Sequence, residues 1–267
     1  MCAYSSSGSS SSYTGKKKCD LSARGLSDLT DVEIPPVSVL ILSKNQFTDL
    51  SSLHQNDELQ VLQADYNKIE VLQPNNFEKC SSLTNLNLSY NLITKIPELR
   101  TLQSLQSLEL AGNKIKVLEN IEGMTKLTNL LLSRNEIHRV FLREQIPSLL
   151  KLNLRRNELN EINFGGCFPS LTSLHLDYCH LVSFSGLNEM KSLKKLTLSF
   201  NKINDSQPLN LPNLEYLNLS NNSLTNIQSF IKLTKLAVLD ISFNPIDDQG
   251  ISISTKFSNL VSLYATE

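Results

Sequence analysis

The leucines and isoleucines of this chain recur in one frame. "LTNLNLSYNLI" (83–93), "LQSLELAGNKI" (105–115), "LTNLLLSRNEI" (127–137), "LLKLNLRRNEL" (149–159), "LKKLTLSFNKI" (193–203) and "LEYLNLSNNSL" (214–224) all fit L-x-x-L-x-L-x-x-N-x-[LI]. "VSVLILSKNQF" (37–47), "LQVLQADYNKI" (59–69) and "LAVLDISFNPI" (236–246) are weaker copies. The asparagine slot falls at Asn45, Asn67, Asn91, Asn113, Asn135, Asn157, Cys179, Asn201, Asn222 and Asn244, in steps of 22, 24, 22, 22, 22, 22, 22, 21 and 22 residues. Within each copy L-x-L has a period of two, so both leucines point inward and their neighbours face solvent on a short strand. One repeat of this length cannot bury its apolar side alone, because ordering costs ~1.5 kcal/mol per residue. Stacking supplies the missing contacts and predicts a quasi-one-dimensional solenoid.

After each asparagine the apolar residues recur every three, as at Ile115, Leu118, Ile121, Met124 and Leu127 in "NKIKVLENIEGMTKL" (113–127). "NLITKIPELRTLQSL" (91–105) and "NSLTNIQSFIKLTKL" (222–236) repeat the spacing. It predicts short 3₁₀ or helical turns on the convex side. The expected fold is therefore an α/β solenoid, a horseshoe with a parallel concave sheet of 11–12 short strands. Residues 16–267 form it, after a flexible Ser-rich tail over 1–15.

This repeat resembles the leucine-rich repeat, and its 22-residue length and convex pattern resemble the short intracellular class. The namesake of that class is the phosphatase-1 regulatory subunit of the SDS type. The resemblance runs from about residue 19 to 267 and implies a protein-binding horseshoe rather than an enzyme. The chain departs from the phosphatase regulator in having no tryptophan and few concave acids (Asp65, Glu109, Asp177, Asp240). One repeat, "NKIEVLQPNNFEKCSSL" (67–83), is similar instead to the 24-residue type common in extracellular members.

The two ends differ from the middle. "KKKCDLSARGL" (16–26) puts Arg24 in the asparagine slot and reads as a worn capping repeat, with Lys16, Lys17 and Lys18 charging the outer strand against edge pairing. "LVSLYATE" (260–267) begins a twelfth strand and stops one residue short of its asparagine position. The expectation there is a continuing chain or a partner that covers Leu260 and Leu263.

Composition narrows the function. A net charge of −1 argues against a surface built to coat nucleic acid or anionic membrane. No apolar run approaches the ~18 residues of a membrane span, and "MCAYSSSGSSSSYTGKKK" has no apolar h-region of a secretory signal. Cys2, Cys19, Cys80, Cys167 and Cys179 are odd in number and form no C-x-x-C pair, which favours free thiols in a reducing compartment. A cytoplasmic location is expected, with nuclear or ciliary association as further possibilities. Sequons stand at Asn87, Asn204, Asn218 and Asn221, and repeats ending L-x-L-S generate N-L-S by chance, as at Asn87 and Asn218.

"LTSLHLDYCHL" (171–181) gathers His175, Asp177, Cys179 and His180 within six positions and invites a metal or thiolate–imidazole reading. The repeat frame answers it. Cys179 occupies the inward asparagine slot, whereas His175 and Asp177 are variable strand positions facing outward, so they do not converge. No Gly-rich phosphate loop, paired metal motif or nucleophile elbow occurs, so neither metal, cofactor nor catalysis is expected.

Function must then be read from exposed strand positions. Two before the asparagine, Ser recurs (Ser22, Ser43, Ser89, Ser133, Ser199, Ser220, Ser242), and Asp65, Arg155 and Asp177 break the habit. One before it lie Tyr66, Tyr90, Arg134, Arg156, Tyr178, Phe200 and Phe243. Arg134, Lys151, Arg155 and Arg156 should make a basic centre, with His175, Asp177, Tyr178 and Phe200 beside it. Tyr and Arg are enriched at binding hot spots, so these eight residues are the candidate partner-binding site. The partner expected is a protein, with an acidic or phosphorylated segment, bound by a monomer or within a hetero-complex. The competing class is an extracellular recognition or receptor fragment.

Overall fold

The structure, a computed structural model, describes residues 17–51, 53, 57–164, 166–204 and 208–266; the predicted tail lies outside them. In chain order the strands are β1 (Lys18–Asp20), β2 (Val39–Ile41), β3 (Val61–Gln63), β4 (Asn85–Asn87), β5 (Ser107–Glu109), β6 (Val117–Leu118), β7 (Asn129–Leu131), β8 (Arg139–Val140), β9 (Lys151–Asn153), β10 (Ser173–His175), β11 (Lys195–Thr197), β12 (Tyr216–Asn218), β13 (Val238–Asp240) and β14 (Ser262–Tyr264). Twelve of them form one parallel sheet in sequence order, and β6 pairs separately with β8. Register follows the repeat: Lys151, Ser173 and Lys195 are neighbours, as are Asn153, His175 and Thr197. This is the leucine-rich-repeat solenoid that the spacing predicts.

The inward leucines make one continuous core, with Leu130, Leu152, Leu174 and Leu196 fully buried on successive strands. The asparagines lock the turn after each strand. Asn157 Nδ2 donates to the carbonyls of Leu132 (3.0 Å) and Leu154 (2.8 Å), and its Oδ1 accepts from the Ile137 amide (2.9 Å). One side chain thus satisfies three backbone groups across two repeats, which the turn would otherwise leave unpaired. Asn91 does the same with Ala64, Leu88 and Ile69. Cys179 fills its slot with a thiol that reaches the Leu154 carbonyl at 3.1 Å. Burial pushes that thiol up to about 12. At the first repeat Arg24 is exposed, and its guanidinium donates to the Asp20 carbonyl at 3.0 Å.

Three expectations need correction. The convex side is less helical than its spacing suggests. It carries 3₁₀ turns at Pro74–Phe77, Ser185–Leu187, Gln228–Phe230 and Ile253–Lys256, and a short helix α1 at Asp248–Ser252. Residues 91–105 contain no helical turn, and 113–127 contain β6 instead. An every-third apolar pattern fixes which side chains point inward, and an extended backbone meets that demand when the repeat beside it is extended too, as β8 is beside β6. Secondly, the serine slot is not simply exposed: Ser89, Ser220 and Ser242 are buried, because short strands sink small side chains below their neighbours. Thirdly, Cys167 and Cys179 are free thiols but Cys19 is disulfide-bonded, so the thiol count no longer argues for a reducing compartment. Cys2 lies outside the described residues.

Candidate protein-binding face

The slot before each asparagine has an unusual backbone. Arg134, Arg156 and Tyr178 have φ of 57° and Phe200 has 55°, all left-handed. Such a conformation costs a side-chain-bearing residue ~1–2 kcal/mol. It persists because the chain is fixed on both sides. The Asn or Cys that follows is anchored inward, and the left-handed residue's own amide bonds the next repeat: Arg134 to the Arg155 carbonyl at 2.8 Å, Arg156 to Asp177 at 2.8 Å, Tyr178 to Ser199 at 3.0 Å. Every slot repeats the geometry, so its side chains project in one direction and form a column along the solenoid.

Strand spacing of ~4.8 Å suits ring stacking. Tyr178 and Phe200 stack with centroids 4.3 Å apart and planes 7° apart, and Tyr66 and Tyr90 stack at 4.5 Å and 8°. The guanidiniums of Arg156 (4.9 Å) and Arg155 (5.4 Å) lie over the Tyr178 ring. At exposed sites each such cation–π contact contributes ~0.5–1 kcal/mol. The column is therefore ordered before any partner arrives, which lowers the entropy lost on binding. Gly112 (φ +68°) divides it in two. A Cβ there would sit 2.7 Å from the Tyr90 ring, so the glycine is what lets that ring lie flat.

The structure gathers Arg155, Arg156 and Phe200 around the Tyr178 ring, with Arg134 one repeat before Arg156 in the same column. Lys151 stands lower on the sheet, at the start of β9, and is exposed. Among the described residues the ion pairs are Lys18–Asp20 (3.2 Å) and Lys194–Glu215 (3.6 Å), so no carboxylate pairs with this basic group.

His175 and Asp177 sit deeper. Asp177 is only 8% exposed. Its carboxylate accepts the Thr197 hydroxyl (2.6 Å), the Ser199 hydroxyl (2.6 Å) and the Ser199 amide (2.9 Å). It therefore ties β11 to the strand before it rather than presenting a free charge. His175 lies between Ser173 Oγ (3.1 Å from Nε2) and Thr197 Oγ1 (3.1 Å from Nδ1). Burial pushes its imidazole below the ordinary value; Asp177 opposes this, while Lys195, Lys151 and Arg155 add to it. On β5, burial and the Asp65 charge push the Glu109 carboxyl up, against the pull of Lys151. Cys179 is fully buried on the other side of the sheet, so it does not join His175 and Asp177.

Sequence reasoning missed Ser173, Thr197 and Lys195. The signal was there: a step of 22 from Lys151 reaches Ser173, and another reaches Lys195. It also missed that the aromatic slot stacks, since stacking depends on the left-handed turn and not on residue type.

A family model described as leucine rich repeat matches residues 57–115 and 191–246. No curated protein sequence matches the chain. Among solved structures, an internalin (InlF) of Listeria monocytogenes is 21% identical with a TM-score of 0.66, over 94% of this chain and 82% of that one. The LRIM1/APL1C complex matches at 25% identity and a TM-score of 0.68, over 84% of this chain and 42% of that one. The mouse RP105/MD-1 complex matches at 22% and 0.67, over 91% and 50%. The chain thus spans half or less of the last two. The likeness is one of fold. Among the described residues no helix is long and apolar enough to cross a membrane.

Proposed function

We propose that this leucine-rich-repeat protein is a non-catalytic interaction scaffold or adaptor, holding an acidic or phosphorylated segment of a partner protein against its concave face. The leucine-rich-repeat fold commonly mediates protein–protein interaction, and two of the matching structures are complexes by description. The observation that carries the reading is the preformed column at Arg156, Tyr178 and Phe200, flanked by Arg134, Arg155 and Lys151. Arginine forks pair carboxylate or phosphate through two hydrogen bonds, and the stacked rings give an apolar anchor beside the charge. In this reading His175 lies under the bound segment, and Asp177 acts by holding Thr197 and Ser199 in place.

Charge reversal tests it. Arg134→Glu with Arg156→Glu keeps the same backbone demand at both positions, so the fold should survive. A partner obtained by affinity capture and then purified should bind the double variant at least ~10-fold more weakly, about 1.4 kcal/mol, and with a shallower salt dependence. Unchanged affinity would place the contact elsewhere.

For location we propose the cytoplasm, with nuclear or ciliary association, on the strength of the 22-residue repeat. A second reading, an extracellular recognition fragment, is favoured by the bonded Cys19 and the 24-residue repeat. Counting thiols in protein purified from its native source without reductant separates them. All cysteines reduced supports the first reading, and an intact Cys19 disulfide supports the second.

A further inference from the structure

Below the arginine column, β9, β10 and β11 place Lys151, Ser173 and Lys195 side by side. With strands ~4.8 Å apart, the two lysine stems rise on either side of the small serine, and Lys195 reaches it by swinging off the Tyr216 ring on its far side. Two residues along β10, His175 closes the floor. Neither lysine pairs with a carboxylate among the described residues, and Lys195 packs its ammonium against the Tyr216 ring at 5.0 Å. We propose that Lys151, Ser173, His175 and Lys195 form a seat for one tetrahedral dianion, the phosphoryl group of a phosphorylated side chain on the partner segment. This deepens the scaffold reading above and rests on it for the source of the phosphoryl group.

The hydrogen-bond directions show how the seat works. Thr197 gives its single hydroxyl hydrogen to Asp177, so towards His175 it can only accept. The His175 hydrogen is therefore on Nδ1, and Nε2 is left as an acceptor for the Ser173 hydroxyl. In this state Ser173 turns its hydrogen inward and shows an approaching anion only a lone pair. Protonation of Nε2 reverses that bond: Nε2 donates to Ser173 Oγ, and the serine hydrogen turns outward. The seat then offers two ammoniums and one hydroxyl donor, from three adjacent strands, to three oxygens of one group. A planar carboxylate has only two oxygens, both in one plane, and so cannot give each of three donors on three strands an oxygen of its own.

Charge drives the same coupling. The charged groups facing His175 are Lys151 and Arg155 from β9 and the turn after it, Asp177 from its own segment, and Lys195 from β11. Burial first, and then these three cations against one carboxylate, push the imidazole below its ordinary value when the seat is empty. An anion between the lysines offsets them and favours the imidazolium. Anion binding and proton uptake should then be linked, each strengthening the other by the same factor.

Imidazole NMR of His175 tests the seat, with sulfate as the probe because it does not titrate across this pH range. Against chloride at equal ionic strength, saturating sulfate should raise the His175 midpoint by about one unit, equivalent to ~10-fold tighter sulfate binding by the protonated form. Lys151→Ala with Lys195→Ala, checked for an unchanged circular dichroism spectrum, should abolish the sulfate-specific shift. No shift beyond chloride, or a shift that survives in the lysine variant, overturns the seat. Capped phosphoserine should also displace sulfate at several-fold lower concentration than capped aspartate; equal potency overturns the phosphoryl assignment. Inorganic phosphate outcompeting capped phosphoserine by ~10-fold or more would make this a small-anion site and overturn the partner assignment. The scaffold reading stands or falls separately, on the Arg134→Glu, Arg156→Glu variant, whose residues are not in the seat.

Discussion

Asn157 and Asn153 are four positions apart on the same strand and turn, and they do different work. Asn157 is 2% exposed and serves three backbone groups, whereas Asn153 is half-buried and accepts the Arg155 amide at 3.0 Å. Each buried polar group left unpaired costs ~1–3 kcal/mol. Asn157→Leu should thus lower the unfolding free energy by about 3 kcal/mol or more and Asn153→Leu by far less; equal melting temperatures would refute the ladder. The converse applies at Cys179, whose thiol is a poor substitute for an amide. Cys179→Asn should donate to the Leu154 and Leu176 carbonyls, as Asn157 does to Leu132 and Leu154, and gain about 1–2 kcal/mol in chemical denaturation. A loss would mean that the slot has shrunk around sulfur. Glu109 offers a pH test. A carboxyl raised in the folded state gives up its proton more readily when unfolded, so its contribution to stability declines as pH rises through that range. Glu109→Gln should raise the melting temperature at neutral pH, with the gain disappearing as pH falls below the ordinary glutamate range.

Turns, more than strands, decide what this protein displays. Each strand of the twelve-stranded sheet is three residues long and presents a small strip of side chains, but a left-handed residue such as Arg156 or Tyr178 after it aims a large one. Gly112 shows how the element depends on one position. Alanine there would have to hold φ near +68° and push the Tyr90 ring aside, so Gly112→Ala should cost ~1–2 kcal/mol and disturb the Tyr66–Tyr90 stack. Gly186, in the 3₁₀ turn Ser185–Leu187, is less forgiving. A Cβ would lie 1.9 Å from the Ile162 carbonyl oxygen, which is backbone and cannot swing away. Gly186→Ala should therefore destabilise more than Gly112→Ala in urea titration. The reverse order would show that the two repeats are not packed at the turn as described.

Across the whole molecule, stability is shared between neighbours and fails at the ends. A middle strand such as β9 bonds β7 and β10, whereas among the described residues β14 bonds only β13. Val261 is 84% exposed, and Leu260 and Leu263 are only partly covered. Hydrogen exchange of the isolated chain should give weak protection over 251–266 and strong protection over 105–200. Strong protection of both would show that this end needs no cover. Charge is also a matter of the whole: a net −1 conceals the basic group of Arg134, Lys151, Arg155 and Arg156, although Asp177 and Glu109 carry acid close to it.

The sequence by itself determined the solenoid, its concave sheet of 11–12 strands, the identity of the core leucines and the asparagine ladder, Cys179 included. A repeat states the same local rule many times, so a period of two inside a period of 22 leaves one way to bury the leucines. It also pointed to Arg134, Lys151, Arg155, Arg156, Tyr178 and Phe200 as occupants of an outward face. What the tertiary structure decided was which of these touch, and which are not outward at all. The stack of Tyr178 on Phe200 and the arginines above it exist because consecutive left-handed turns aim side chains from different repeats along one line. Asp177 sinks beneath the surface because Thr197 and Ser199, 20 and 22 residues away, reach across to it. Spacing along the chain fixes which way a side chain points; only the neighbouring repeat fixes what it meets there.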